Sequence, residues 1–272
     1  MTTDQEYLLG HDPAELDRLQ HQARILGPTT RTVLELAGVA PGMRVLDLGT
    51  GAGDVAFLAA ELVGPTGSVV GIDQSAKALT LAAHRTERSG LTNVSFLHDD
   101  LHTVRITGEF DAVVGRLTLL YLPDPVRILR RFADLLRPGG VVAMMEYEMT
   151  AIGCLPPTPI GERVGFWIAE AFRRSGLDAS LGARLGQVMR RAGLDPVTVL
   201  GLQQYRPPGD PEAARMAAAI LRTLLPVLDR TGIATPDEVD VDTLADRLIH
   251  DTMQHDATFK LPTLVGAWAA MS

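Results

Sequence analysis

The sequence predicts an α/β fold built on a doubly wound, mostly parallel sheet, and three observations carry that expectation. First, short apolar runs at Val45–Leu48, Val69–Asp73, Val94–Leu97, Phe110–Val114 and Val141–Met145 alternate with stretches of helical period. Second, the first run leads into glycines at alternate positions, Gly49, Gly51 and Gly53, and then into a helical pattern carried by Val55, Leu58, Ala59 and Leu62. Third, the second run ends in a carboxylate, Asp73, roughly 20 residues after the glycines.

A strand, a glycine turn and a helix N-terminus make a binding device. Glycine adopts positive φ and lets a ligand approach bare backbone. The helix start adds unpaired N–H groups and the positive end of its dipole. An acid closing the next strand is placed to accept hydrogen bonds from ribose hydroxyls. The spacing narrows the ligand. Dinucleotide sites use G-x-G-x-x-G around a pyrophosphate, whereas here it is G-x-G-x-G, with Asp47 two residues before the first glycine. An acid there repels pyrophosphate but can orient an ammonium, directly or through water. Adenosine joined to an amino acid is the structure of S-adenosylmethionine.

The chain resembles the class I S-adenosylmethionine-dependent methyltransferases of quinone and small-molecule biosynthesis. The resemblance rests on VLDLGTGAGD (45–54), VVGID (69–73), FLHDDL (96–101), FDAVVGRLTLLYLPDP (110–125) and LLRPGG (135–140), in that order. It implies a Rossmann-like seven-stranded sheet whose last strand is antiparallel. It also implies S-adenosylmethionine as cofactor, held by Asp47, Gly49, Thr50, Gly51, Gly53, Asp73 and Gln74. In the family an acid just after the third strand bonds the adenine amino group and the next backbone N–H reads the ring. Asp99 and Asp100 both fit that place, with Leu101 beside them, and a pair of turn aspartates is the plainer reading. Arg116 and Leu117, delivered by the fourth strand to the crevice, complete the set. Arg116 suits the cofactor carboxylate or an anionic substrate group.

Residues 1–40 precede the sheet. Asp12-Pro13-Ala14-Glu15 starts one helix and Pro28 a second, ending near Gly38. These helices either cover a sheet edge or form a lid with Tyr7, Gln22 or Arg24 facing the methionine end, a use the family resemblance suggests. Ser75 and Asp124 are the expected N-caps of two later helices. Residues 41–206 and 257–272 make up the expected core. Pro207-Pro208-Gly209-Asp210-Pro211 opens a helical insertion over 207–256, a substrate cap or an oligomer contact. Val197–Tyr205 and Thr258–Met271 read as the last two strands.

Composition bounds the remainder. The 272 residues, 46% of them hydrophobic, suffice for one large core or a core with a cap. A net charge of −8 with no convincing Lys/Arg cluster argues against nucleic acid as partner. One cysteine, Cys154, excludes an intrachain disulfide. Neither a signal-peptide pattern nor a membrane-length apolar run is present, so a cytoplasmic protein is expected, with a small-molecule substrate and a homodimer permitted. His98 and His102 straddle a strand end and, like His250 and His255, lack a third ligand nearby, so no metal is expected.

Methyl transfer from a sulfonium needs alignment and dryness more than a motif. A base matters only for an acceptor that must lose a proton. Glu146 and Tyr147, at the top of the fifth strand, and His250 are the candidates. The leading expectation is methylation of oxygen, carbon or nitrogen of a metabolite. The competing readings are a cyclase-like catalyst that binds the same cofactor without methylating, and a nicotinamide-dependent dehydrogenase.

Overall fold

The computed structural model describes the backbone of residues 13–271 and the side chains from Ile25 onward. In chain order the elements are α1 (Pro13–Leu36), β1 (Arg44–Leu48), α2 (Asp54–Val63), β2 (Ser68–Asp73), α3 (Ala76–Ser89), β3 (Val94–His98), β4 (Phe110–Arg116), α4 (Pro125–Ala133) and β5 (Leu136–Glu148). There follow β6 (Gly153–Leu155), α5 (Pro159–Arg174), α6 (Leu181–Arg191), β7 (Thr198–Leu202), β8 (Tyr205–Arg206), α7 (Pro211–Arg230), α8 (Pro236–Val239), α9 (Leu244–Gln254), β9 (Thr258–Lys260) and β10 (Thr263–Ala270). They fall into two units. One comprises Ala23–Tyr147, Leu181–Leu202 and the chain from Leu264. The other comprises Glu148–Ser180 and Gln203–Thr263, with the first turns of α1.

The first unit is a seven-stranded sheet in the order β3-β2-β1-β4-β5-β10-β7. β1 lies parallel between β2 (Val45 opposite Val69) and β4 (Val45 opposite Ala112), so strand order reverses at its carboxyl end. β10 pairs antiparallel with β7, Gly266 opposite Leu200. Central strands buried on both faces are largely apolar. Val45, Leu46, Leu48 and Val113 are buried, and the core continues through Ile72, Phe110, Ile128, Leu129, Phe132 and Met144. α2 buries Val55, Ala56, Ala59, Ala60 and Val63. The caps fall where the sequence predicts: Ser75 Oγ accepts from Ala78 N at 3.2 Å and Asp124 Oδ1 from Arg127 N at 3.0 Å. No helix crosses over between β3 and β4, in keeping with the shortness of residues 101–109.

Three expectations about the elements are corrected. The predicted break at Pro28 does not occur; α1 is one helix with Pro28 inside it. Proline there removes one backbone hydrogen bond and costs about 3 kcal/mol in isolation. Ile25, Leu26, Val33 and Leu34 are all buried, and tertiary burial of that face outweighs the local cost. The single strand predicted over 258–271 is split in two at Leu261-Pro262, because proline has no N–H for the ladder. Val197–Tyr205 divides likewise into β7 and β8.

The second unit is helical, with a small antiparallel sheet in the order β6-β9-β8. It extends beyond the expected 207–256 insertion and takes in 148–180 and 257–263. The reason is pairing: Cys154 lies opposite Phe259, and α5 packs on both α7 and α9. Asp251 on α9 is buried and accepts from Ile160 N (3.1 Å) and Gly161 N (3.4 Å), satisfying the start of α5 from outside the helix. Thr243 precedes α9 as its N-cap, and Asp242 pairs with Arg222 at 2.6 Å.

Within the first unit β10 approaches α1 closely. A Cβ at Gly266 would lie 2.6 Å from Val33 Cγ2. Gly266→Ala is expected to lose about 1–3 kcal/mol in urea unfolding through overpacking. Combining it with Val33→Ala should cost less than the sum of the two single changes; strict additivity would contradict the contact.

Candidate active site

β1 ends at the reversal point in a turn whose glycines all have left-handed backbone: φ is 64° at Gly49, 54° at Gly51 and 86° at Gly53. Their surroundings differ. A Cβ at Gly49 would lie 2.4 Å from Thr118 Oγ1, so this glycine is required by packing. A Cβ at Gly51 would meet nothing within 4 Å, so here the main chain faces open space. Gly53 is the N-cap of α2 and brings no side-chain cap, leaving the helix start to other partners.

Asp73 closes β2 and binds the turn. Its Oδ2 accepts from Gly51 N and its Oδ1 from Ser75 N, both at 2.8 Å. Each oxygen keeps lone-pair capacity for a further donor. Burial raises its pKa, opposed by these backbone bonds. Asp47 is completely buried: Oδ2 accepts from Thr50 Oγ1 at 2.6 Å, and Oδ1 has no partner among the described residues. Burial pushes its pKa up to about 7, against the Thr50 hydrogen bond and the Arg116 charge.

Arg116, at the end of β4, donates to Thr30 Oγ1 on α1 at 2.8 Å and lies 3.4 Å from Asp54 at the start of α2. Asp54 also pairs with Arg85 of α3 at 2.6 Å, and Arg85 donates to Ala52 O. Next to Arg116, Leu117 has φ 56°, rare for a side-chain-bearing residue. At the edge of the site Asp99 Oδ1 accepts from Asp100 N and Asp100 Oδ1 from His102 N, both at 2.8 Å, so both act as turn carboxylates. Leu101 is buried, and Gln74 is exposed, its carbonyl 2.9 Å from His98 Nε2.

Glu146 departs from expectation. Instead of emerging at a strand end it is completely buried within β5. Oε1 accepts from Thr118 N at 2.9 Å and Leu119 N at 2.7 Å; Oε2 has no partner among the described residues. Burial pushes its pKa up to about 8, against the backbone hydrogen bonds. The strand simply runs further than the apolar stretch suggested. Tyr147 is buried beside it in sequence, while His250 is exposed on α9 in the helical unit. Tyr7 lies outside the described residues, as do the side chains of Gln22 and Arg24.

The structure therefore brings together Asp47, Gly49, Thr50, Gly51, Gly53, Asp73, Asp99 and Arg116, and adds Thr30, Asp54, Arg85 and Thr118. Thr118, two residues past Arg116, was open to detection by its place after β4. Arg85 and Thr30 carry no signal, since an arginine or threonine on a helix is ordinary surface chemistry. No group of three or more potential metal ligands occurs among the described residues.

A glycine turn at the point where strand order reverses, braced by the acid ending the next strand, is the arrangement of nucleoside-binding α/β domains. Residues 40–157 match the family described as a methyltransferase domain, in keeping with the resemblance to the class I S-adenosylmethionine-dependent methyltransferases. It is 42% identical over 107 residues to the arsenite methyltransferase of Aquipseudomonas alcaligenes, covering 36% of this chain and 31% of that protein. It is 36% identical over 138 residues to the aklanonic acid methyltransferase of a Streptomyces species, covering 49% and 63%. The chain thus spans less than two thirds of the length of these relatives. The structure of an S-adenosylmethionine-dependent methyltransferase from Aquifex aeolicus has the same fold, with a TM-score of 0.54 at 22% identity over 71% of this chain and 93% of that one.

The two buried acids set a pH dependence. Asp47 and Glu146 hold protons in the folded state at pH values where an unfolded chain, with pKa near 3.8 and 4.5, has released them. Native protein then binds more protons than unfolded protein, so stability falls as pH rises from about 4 to 8, by up to about 1.4 kcal/mol per pH unit per group. Asp47→Asn is expected to flatten this decline in urea unfolding at pH 5, 6 and 7; an unchanged slope would refute the protonated reading of Asp47.

Proposed function

We propose that this protein transfers the methyl group of S-adenosylmethionine to a small-molecule acceptor. The observation that carries the proposal is the open main chain at Gly51, held by Asp73 at the reversal point of the sheet. The donor set fits the cofactor. The uncapped start of α2 and the Gly51 backbone suit its amino-acid end, and the spare lone pairs of Asp73 suit ribose hydroxyls. Asp54, Asp73, Asp99 and Asp100 stand against Arg85 and Arg116 here. A carboxyl-rich site favours a sulfonium and ammonium ligand over a pyrophosphate.

When bound, the cofactor supplies a methyl group on a good leaving group. The chain's own work is positional. The turn and Asp73 would hold the nucleoside, Arg116 would serve the carboxylate end, and Asp99 or Asp100 with the Leu101 backbone would take the adenine edge. Small acceptors are named for the relatives: arsenite and aklanonic acid. The stretches those relatives share cover half of this chain or less, so the helical unit, including 207–256, is where we place acceptor selectivity.

Calorimetry with S-adenosylmethionine should give saturable binding and NADH none. Turnover of a metabolite panel with methyl-labelled cofactor, read by mass, should yield labelled product and S-adenosylhomocysteine in equal amounts. Asp73→Ala should weaken cofactor binding by about 1–3 kcal/mol. Unchanged affinity would remove Asp73 from the site, and product without S-adenosylhomocysteine would replace methylation by cofactor-assisted catalysis.

A further inference from the structure

Glu146 is a buried acid within β5 that methyl transfer does not require. Its Oε1 receives both Thr118 N and Leu119 N, the first amides after the left-handed Leu117. Leu117 N donates to Met145 O at 2.8 Å, so β5 holds three consecutive amides of this bend. Thr118 passes the constraint on. Its Oγ1 donates to Leu48 O, the last residue of β1, at 2.9 Å, and stands where a Cβ on Gly49 would have to go. A chain of contacts therefore runs from Glu146 through Thr118 to the first glycine of the turn.

We propose that Glu146 is a positioning residue for the cofactor turn: it fixes the β4 exit bend, and through Thr118 it fixes Gly49 and the backbone leading to Gly51. This rests on the cofactor reading given above. The bend has a local cost, because left-handed backbone is unfavourable by about 1–2 kcal/mol outside glycine. Two hydrogen bonds converging on one enclosed oxygen offset it, and removing that acceptor would leave two buried N–H groups without partners. Complete burial also separates this role from that of a general base, which must reach the acceptor's proton. What the bend needs from residue 146 is an acceptor oxygen. It does not need a charge.

The test compares Glu146→Gln, which keeps an oxygen in place, with Glu146→Met, which keeps the bulk and removes it. The probe is S-adenosylhomocysteine, measured by calorimetry, alongside amide chemical shifts of the ligand-free proteins. Glu146→Met should bind at least tenfold more weakly, with shifts concentrated at 49–53 and 117–119. Glu146→Gln should stay within about threefold of the wild type. Equal losses in both variants would overturn the proposal in favour of a role for charge, and an unchanged affinity and turn in Glu146→Met would overturn it outright. Should Glu146→Met not fold, Thr118→Val cuts the same relay. A several-fold loss with shifts at Gly49 supports the proposal, and wild-type behaviour refutes it. A wild-type protein that binds no S-adenosylhomocysteine overturns the cofactor reading instead. The ligand-free shifts in Glu146→Met then decide the positioning claim separately.

Discussion

The hydrogen bond from Gly51 N to Asp73 joins the two strands that matter most. It exists because β1 leaves the sheet through left-handed backbone at Gly49, Gly51 and Gly53, in a turn that stays against β2: Thr50 N donates to Ile72 O at 2.9 Å. β2, parallel and in register beside it, ends at the same level and offers a carboxylate. Substituting either partner changes the other. A side chain at Gly51 would force strain at φ 54°, and loss of the Asp73 carboxylate would free the turn. From this bond outward the site is layered. Asp47 and Thr50 hold the turn from inside, Arg85, Asp54 and Arg116 hold its outer side, and Glu146 with Thr118 supports the neighbouring bend.

Asp47 and Glu146 are enclosed, each with one oxygen engaged and one without a partner. A carboxylate in such a place would be costly, and both groups respond by retaining their protons to higher pH. A neutral acid is a compact acceptor: Asp47 holds the Thr50 hydroxyl and Glu146 two backbone amides without a net charge on either side chain.

Much of this was legible in the chain. The run VLDLGTGAGD and the acid at 73 specify strand, turn, helix and brace, because alternate glycines after an apolar strand have few other uses. The caps Ser75 and Asp124 were legible for the same local reason. What failed depended on distant packing. Pro28 reads as a helix boundary until α1 is seen to bury Val33 and Leu34. Glu146 reads as exposed because a charged residue after an apolar run marks a strand end. Only the neighbouring bend shows two amides waiting for its oxygen. The pairing of β6 with β9 lies about a hundred positions apart in sequence and has no local signature.

Where the nucleoside lies decides the function of this turn. A crystal structure of the protein with S-adenosylhomocysteine tests that most directly. It should show the amino-acid end against the main chain of Gly49–Gly53, the ribose hydroxyls on Asp73 and the adenine beside Asp99 to Leu101. A nucleoside bound away from the carboxyl ends of β1 and β2, with the Gly51 main chain still facing solvent, would contradict it.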